Sequence, residues 1–177
     1  MFSLKVDNEI SLALVQPSFA PEIYRVVSAQ VEYLSQWLAW PQNAYGEEFF
    51  LSFIKSSLQD YAEGKSLTCS VFYQNELVGN ISFNAIHRSL KKAEIGYWLS
   101  HDWQGKGIMT RAVEKMIALA FEQYGLEKVE IHAAERNQPS RALCERLGFT
   151  LEGVITNAEN LNGRIVNHAV YGLFKNN

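Results

Sequence analysis

A glycine-rich stretch from residue 104 to residue 110 has the residue types and spacing to hold a phosphate group. The stretch reads Gln104, Gly105, Lys106, Gly107, Ile108, Met109 and Thr110. Glycines adopt backbone dihedrals that other residues avoid, and they let a bulky ligand approach the main chain closely. If a helix begins here, its first N–H groups have no intrahelical partner and the helix dipole is positive at that end. The stretch therefore indicates an anion-binding turn, with a plain glycine turn as the alternative.

The elements predicted on both sides of this turn support its interpretation as an anion-binding turn. Before it, Ile95, Tyr97 and Leu99 alternate with more polar or smaller positions, as in a strand. After it, apolar residues recur at steps of three and four from Val113 to Tyr124, as on one helix face. Two common phosphate loops are excluded by spacing. The Walker loop needs Ser or Thr at 107, and the dinucleotide fingerprint needs Gly at 110.

The rest of the chain predicts one mixed α/β domain that spans residues 1–177. Strands are expected at 10–16, 67–73, 77–86, 94–99, 128–134, 150–159 and 164–174. Helices are expected at 21–27, 31–38, 47–64, 113–124 and 137–148. Asn162-Gly163 is a strong hairpin signal, and Asn137 is a good helix N-cap.

Composition narrows the class of protein further. With 47% hydrophobic residues and a net charge of −3, the chain is expected to be globular and not to bind nucleic acid directly. No apolar run approaches a membrane span, and the amino terminus lacks the features of a signal peptide, so a cytoplasmic location is expected. Two cysteines and four scattered histidines do not form a metal-ligand pattern, so no metal is expected. These residues are Cys69, Cys144, His87, His101, His132 and His168.

The turn resembles Q/R-x-x-G-x-G/A, the pyrophosphate-binding loop of the GNAT (Gcn5-related) N-acetyltransferases. Gln104 to Gly107 fit this pattern, whereas Met109 replaces its last small residue. The stretch from Asn137 to Phe149 resembles the N-x-x-S/A…L-G-F segment of the same superfamily. Together with Glu94-Ile-Gly-Tyr-Trp-Leu and Leu151-Glu-Gly, the likeness is to the Rim-type enzymes that acetylate ribosomal proteins, and within them to the branch that acts on an N-terminal serine.

This resemblance implies the GNAT fold, an α/β (α+β) arrangement with a mixed, splayed sheet of about seven strands and helices on both faces. It also implies acetyl-CoA as co-substrate, bound between the central strand and the next one. The residues implied in acetyl-CoA binding are Trp98, Leu99, Gln104, Gly105, Lys106, Gly107, Ile108, Met109, Thr110, Asn137, Ser140, Arg141 and Arg146. Of these, Arg141 and Arg146 are the candidates for the 3′-phosphate, with a solvated surface role as the alternative.

Two residues are candidates for acid–base catalysis of direct acetyl transfer. Glu94 is the candidate base, and burial is expected to raise its pKa; a carboxylate paired with Arg or Lys is the alternative. Ser140 is the candidate acid toward the CoA sulfur, with helix capping as its alternative role. Cys144, where many relatives have a tyrosine, is expected to be a core residue and not a nucleophile.

The acceptor is the least determined part of the function. Its expected contacts are Trp40, Asn84, Tyr97 and His168, and the loop at Trp40 either covers the site or fills the edge of the core. The resemblance implies a protein N-terminus, preferably the α-amine of a serine on a ribosomal protein. A small amine such as an aminoglycoside or polyamine is one alternative, and a non-catalytic acyl-CoA-binding module is another. The oligomeric state stays open between a monomer and a homodimer.

Overall fold

A computed structural model describes residues 2–176, in which eight strands form one sheet in the order β1-β2-β3-β4-β5-β6-β8-β7. The strands are β1 Ser3–Lys5, β2 Ile10–Leu14, β3 Leu67–Tyr73, β4 Glu76–His87, β5 Lys92–Leu99, β6 Lys128–Ala134, β7 Thr150–Leu161 and β8 Arg164–Phe174. The α-helices are α1 Ala20–Ser28, α2 Val31–Ser35, α3 Gly46–Ala62, α4 Ile108–Glu122 and α5 Gln138–Arg146. Neighbouring strands pair antiparallel, whereas β5 and β6 are parallel.

The sequence prediction of about seven strands missed β1, which has only three residues and is held by its register with β2. Several other boundaries differ as well, two of them as follows. The strand expected at 10–16 ends at Leu14, before a short 3-10 turn at Pro17–Phe19. The helix expected at 31–38 ends at Ser35, because the N–H groups of Gln36 and Trp37 donate to carbonyls three residues back and tighten the last turn.

The predicted hairpin turn at Asn162-Gly163 and the predicted helix N-cap at Asn137 are both present. Asn162 and Gly163 have φ of 54° and 92°, the left-handed conformation that a two-residue hairpin requires at both positions. Gly125 also has a positive φ, 64°, just after α4. The Asn137 side chain accepts a hydrogen bond from the N–H of Ser140 and so caps α5.

The core divides into two clusters, and the helices lie on both faces of the sheet, as predicted. Val113, Met116 and Ala120 of α4 are fully buried in one cluster, which we call the α4 cluster. Phe50 and Ile54 of α3 are buried in the other, the α3 cluster, together with residues of α1. The tip of β5 contributes to both clusters, since its alternate residues point to opposite faces. Within the described residues, no helix combines the length and apolar character needed to cross a bilayer.

The strands β5 and β6 separate after a short parallel pairing. Their register covers Lys92 with Lys128, Ala93 with Val129, and Glu94 with Glu130. Beyond these pairs the second half of β5 and the second half of β6 diverge. The main-chain groups that face each other across this gap are therefore available to a ligand, and α4 begins just beyond the end of β5.

Candidate active site

A cavity of about 930 Å³ opens at the point where β5 and β6 separate. Its walls come from β4, β5, β6, the hairpin of β7 and β8, and the helices α3, α4 and α5. Nearly all the predicted site residues line it, with Lys106 and Arg141 as the exceptions. Residues more than a hundred positions apart in the chain thus meet in one space large enough for a cofactor arm and an acceptor.

The glycine turn has the geometry of an anion-binding loop. Gly105 and Gly107 have φ of 75° and 68°, and Gly107 is the N-cap residue of α4. A Cβ built on either glycine would meet nothing within 4 Å, so this side of the turn is open. Gln104 fixes the start of the turn, because its Nε2 donates to the carbonyl oxygen of Leu99 at 3.1 Å. The residues present therefore fit a pyrophosphate placed at the positive end of a fifteen-residue helix.

Arg111 holds the turn from behind and does not face the cavity. Its guanidinium donates to the carbonyl oxygens of Gly107 and Lys106 at 3.3 and 3.4 Å. The same group forms ion pairs with Asp7 at 2.7 Å and Glu9 at 3.0 Å, both in the turn between β1 and β2. The hydrogen bond from Arg111 is the main reason that the pKa of Glu9 lies below its usual value. Carboxylates thus neutralise Arg111, while its hydrogen bonds fix the orientation of the two loop carbonyls.

The two predicted 3′-phosphate contacts have different surroundings. Arg146 lines the cavity and donates to Oγ1 of Thr110 at 3.1 Å, next to the glycine turn. Arg141 donates instead to the hydroxyl of Tyr171 and to the carbonyl oxygen of Glu135, both at 2.9 Å. These two bonds hold its guanidinium in the packing between α5 and β8. The predicted phosphate contact of Arg141 does not agree with this placement, and Arg146 is the basic residue that reaches the site.

Lys106, another predicted cofactor residue, lies outside the cavity, and its Nζ is over the Trp103 ring.

Ser140 forms a hydroxyl pair with Tyr97. The two side-chain oxygens are 2.7 Å apart across the gap between β5 and α5. Because Asn137 caps the helix, the Ser140 hydroxyl is not needed for that alternative role. Burial raises the pKa of Tyr97 far above its usual value, which outweighs the opposing effect of the bond to Ser140, so the phenol stays protonated. Tyr97 was predicted to contact the acceptor, but the structure places its hydroxyl on Ser140, beside the predicted cofactor residues.

Cys144 lies one turn after Ser140 in α5 and is completely buried. Burial is the main cause that raises the pKa of its thiol to about 12. A thiol with this pKa is protonated at neutral pH and is a poor nucleophile. The placement agrees with the predicted core role.

Glu94 is at the last position where β5 pairs with β6, so the gap between these two strands begins there. Its Oε1 accepts a hydrogen bond from Asn84 at 3.5 Å and lies 4.0 Å from Nδ1 of His132. These neighbours are an amide and an imidazole, whereas the alternative interpretation requires an arginine or lysine. The side chain is 32% exposed, so it is less buried than the sequence predicted.

The sequence interpretation gave no role at the site to His132, Glu130 or Glu159. Nε2 of His132 lies 3.1 Å from Oε2 of Glu130, and Nε2 of His168 lies 3.1 Å from Oε1 of Glu159. Both histidines and Glu159 line the cavity. The available signal was the alternation in β6, where Glu130 and His132 share one face and apolar residues occupy the other.

Aromatic side chains form one wall of the cavity. The ring centroid of Trp40 lies 6.3 Å from Phe49, 6.0 Å from Phe50 and 6.2 Å from Trp98. Trp40 therefore packs against the α3 cluster and also lines the cavity, which combines both roles proposed for its loop. The Trp98 ring belongs to this aromatic wall. Alternation on β5 turns that ring away from Tyr97 and Leu99, and the predicted cofactor contact of Trp98 stays a prediction.

Among the side chains that the structure describes, no group of three or more His, Cys, Asp and Glu is arranged to hold a metal ion. The polar groups of the cavity are hydroxyls, amides, carboxylates and imidazoles. Such groups can bind an amine and move protons.

The family profile described as the acetyltransferase (GNAT) domain matches residues 10–150 of the chain. The chain belongs to the GNAT acetyltransferase family. The matched region contains the glycine turn, Glu94, Tyr97 and Ser140, and it ends where β7 begins. A GNAT enzyme transfers an acetyl group from acetyl-CoA to an amine, and the cavity is the candidate site for this reaction.

Three similar proteins agree with this membership. The ribosomal-protein-serine acetyltransferase of Escherichia coli (strain K12) is 32% identical over 160 residues, which cover 90% of this chain and 89% of that protein. The structure of RimL, a ribosomal L7/L12 alpha-N-protein acetyltransferase in complex with coenzyme A, has a TM-score of 0.94 at 30% identity and 98% coverage of both chains. The microcin C7 self-immunity acetyltransferase MccE, in complex with acetyl-CoA and AMP, has a TM-score of 0.92 at 34% identity, covering 97% of this chain and 96% of its own.

Proposed function

We propose that this GNAT enzyme acetylates the α-amino group of a protein N-terminus and prefers an N-terminal serine of a ribosomal protein. The observation that carries the proposal is the combination of a carboxylate, an aromatic wall and a hydroxyl pair at the acceptor end of the cavity. Glu94, the aromatic wall around Trp40, and the hydroxyl pair of Tyr97 and Ser140 all line this one cavity. The similarity to the serine-specific relatives extends over nearly the whole chain, which supports the same acceptor class.

The charges at the acceptor end favour an α-amine over a polycation. The carboxylates that line it are Asp60, Glu94 and Glu159. Glu159 is engaged by His168, and Glu94 lies near His132. A polyamine pocket is expected to offer several carboxylates to the ligand, whereas a peptide site offers apolar walls and strand edges. The aromatic wall and the separated edges of β5 and β6 match the description of a peptide site.

Deprotonation favours the same acceptor. An α-amino group has a pKa of about 7.7–8.0, whereas a lysine ammonium has a pKa near 10.4. The difference of roughly 2.5 units means that about 3.5 kcal/mol more is needed to deprotonate lysine at neutral pH. A single carboxylate base, Glu94, suits the easier task.

The chain's own residues divide the work of the transfer. Acetyl-CoA supplies an activated acyl group as a thioester. The turn from Gly105 to Thr110 and Arg146 bind its phosphates, Glu94 receives a proton from the acceptor amine, and Ser140 supplies a proton to the sulfur, with Tyr97 as the donor behind it. Holding the two reactants in one cavity supplies a large part of the rate, because it removes the entropic cost of their encounter.

A competition assay tests the acceptor. Equal concentrations of a peptide with a free N-terminal serine, a blocked peptide that contains lysine, and spermidine are incubated with the enzyme and acetyl-CoA, and products are measured by mass spectrometry. We expect the serine peptide to be acetylated fastest. Faster acetylation of the blocked peptide or of spermidine would replace the proposal by the lysine or small-amine alternative.

A small amine attached to a nucleotide is the second candidate acceptor. It is favoured by the aromatic wall, where the rings of Trp40 and Phe49 lie within 21° of parallel, and by the likeness to MccE. Aromatic faces of this kind can stack on a base. A hydrolysis-resistant aminoacyl-adenylate analogue added to the same competition distinguishes this candidate, which is supported if that compound outcompetes the serine peptide.

We further propose that the enzyme forms a homodimer through β7. This strand lies at the edge of the sheet and exposes Leu151, Val154 and Ile155, whose side chains are 43%, 43% and 53% exposed. An exposed apolar edge strand is a template for pairing with a second chain. Light scattering of wild type and Ile155→Asp tests this, with Leu90→Asp as an exposed control on another surface. A monomeric wild type would exclude the dimer.

A further inference from the structure

His132 lies between two carboxylates at the point where β5 and β6 separate. Its Nε2 is 3.1 Å from Oε2 of Glu130 on its own strand, and its Nδ1 is 4.0 Å from Oε1 of Glu94 on β5. From β8, the ring of His168 faces it with a centroid distance of 6.3 Å, and Glu159 of β7 holds the far side of that ring. The His132 side chain is 24% exposed and lines the cavity.

Glu130 fixes the orientation of this imidazole. Its side chain is 9% exposed, and Oε1 accepts hydrogen bonds from Lys92 and Lys128, both at 2.9 Å. Two lysines therefore hold the carboxylate in place and keep it anionic. Since an anionic carboxylate only accepts hydrogen bonds, the neutral His132 ring must carry its proton on Nε2. Nδ1 is then the unprotonated nitrogen, and it points toward Glu94.

Acetylation of an ammonium group releases one proton more than the thiolate consumes. The ammonium loses two protons on becoming an amide, and only one of them is balanced by formation of the thiol. The other must be held while the acyl group moves. A carboxylic acid has an ordinary pKa near 4.3 and holds a proton poorly at neutral pH, whereas an imidazole has an ordinary pKa near 6.5. A histidine next to the base therefore suits this proton better than the base itself.

We propose that His132 is a proton relay for Glu94, a role that rests on the proposed amine acetylation. Glu94 takes a proton from the ammonium, and that O–H bond then breaks as an N–H bond forms at Nδ1 of His132. The resulting imidazolium lies between the Glu94 and Glu130 carboxylates, which stabilise its charge. The 4.0 Å separation closes by a small side-chain rotation or through one water, and the exposed edge of the ring returns the proton to solvent.

Steady-state kinetics of His132→Gln tests the relay, with His87→Gln as the control because His87 is exposed at the end of β4 and does not line the cavity. We expect kcat at neutral pH to fall at least tenfold in His132→Gln, with KM for acetyl-CoA unchanged. The defect should shrink as the pH rises past the pKa of the acceptor amine, because the amine is then already neutral. Added imidazole should partly restore His132→Gly.

A loss of equal size at every pH, without rescue by imidazole, would assign His132 a structural role and overturn the relay. Unchanged kcat in His132→Gln would do the same. Failure of wild type to acetylate any amine would overturn the proposed function instead.

Discussion

The hydroxyl oxygens of Tyr97 and Ser140 lie 2.7 Å apart, although 43 positions separate the two residues in the chain. One comes from the tip of β5 and the other from the first turn of α5, so the bond joins the two sides of the cavity. Burial raises the pKa of Tyr97 and keeps its proton in place. The pair is therefore suited to deliver a proton to a leaving thiolate through Ser140.

Ser140→Ala should lower kcat by about a hundredfold and change KM for acetyl-CoA by less than about threefold. Tyr97→Phe should have a smaller effect, since Ser140 then keeps its own proton. Because the two hydroxyls act in series, the double variant should be little worse than Ser140→Ala alone. Ser140→Thr keeps a hydroxyl and is the matched control. Additive losses in the double variant would separate the two roles.

Gly107→Val should weaken coenzyme A binding at least tenfold, because its side chain would enter the open face of the glycine turn. Gly125→Val is a matched control at the other end of α4. Gly125 also has a positive φ and open space around it, so both variants pay a similar backbone strain of about 1 kcal/mol. Calorimetric titration with coenzyme A measures the difference. Equal affinities in the two folded variants would contradict a pyrophosphate at this turn.

Glu94→Gln should remove the acidic limb of the pH dependence of kcat/KM, if Glu94 is the base. Glu159 is the natural comparison, because it also lines the cavity and is held by a histidine. We expect Glu159→Gln to keep the acidic limb. If instead the limb disappears only in Glu159→Gln, the base is Glu159 and the assignment of Glu94 is wrong.

Glu130 should make the stability of the fold depend on acid. Burial acts to raise the pKa of this carboxyl, but hydrogen bonds from Lys92, Lys128 and His132 outweigh it and lower the pKa from 4.5 to about 2. Because the pKa is lower in the folded state, the Glu130 carboxylate stabilises the fold at pH values above its unfolded-state pKa. This stabilisation is lost as the pH falls toward 2. Glu130→Gln should thus lower the free energy of unfolding by about 3 kcal/mol near neutral pH, and by much less near pH 2. Urea denaturation at several pH values measures this, and a pH-independent difference would contradict it.

Trp40→Ala should raise KM for the acceptor peptide and leave KM for acetyl-CoA unchanged, because Trp40 is in the aromatic wall of the cavity and not in the glycine turn. The ring also packs on Phe50 and Trp98, so the variant should lose about 3 kcal/mol of stability. Trp40→Phe keeps an aromatic ring and is the matched control. An equal change in both KM values would place Trp40 outside the acceptor site.

Local signals in the sequence predicted the local structure well. Asn162-Gly163 and Asn137 act through neighbouring backbone groups, so their roles can be inferred from residue type and position alone. The glycine turn was predicted for the same reason. The boundary of α2 and the three-residue β1 were missed because a tightened turn and a sheet partner, not local propensity, determine them.

The errors in the site concern contacts between distant segments. Arg141 was predicted at a phosphate because its charge and position allow it, but Tyr171, thirty positions away, holds it elsewhere. His132 was given no role at the site because nothing in β6 shows that Glu94 lies opposite. Only the register of β5 with β6 brings these side chains together. A single sequence does not encode that register in any short motif.

Arg111 gives the amino-terminal hairpin an influence on the glycine turn, although Asp7 and Arg111 are 104 positions apart in the chain. The hairpin contributes no group to the cavity, yet its two carboxylates set where the guanidinium sits and hence how the loop carbonyls are oriented. Deleting residues 3–9 or fusing a tag next to them is therefore expected to change the conformation of the cofactor loop. Affinities for coenzyme A measured on proteins with different amino-terminal extensions are comparable only when that hairpin is left intact.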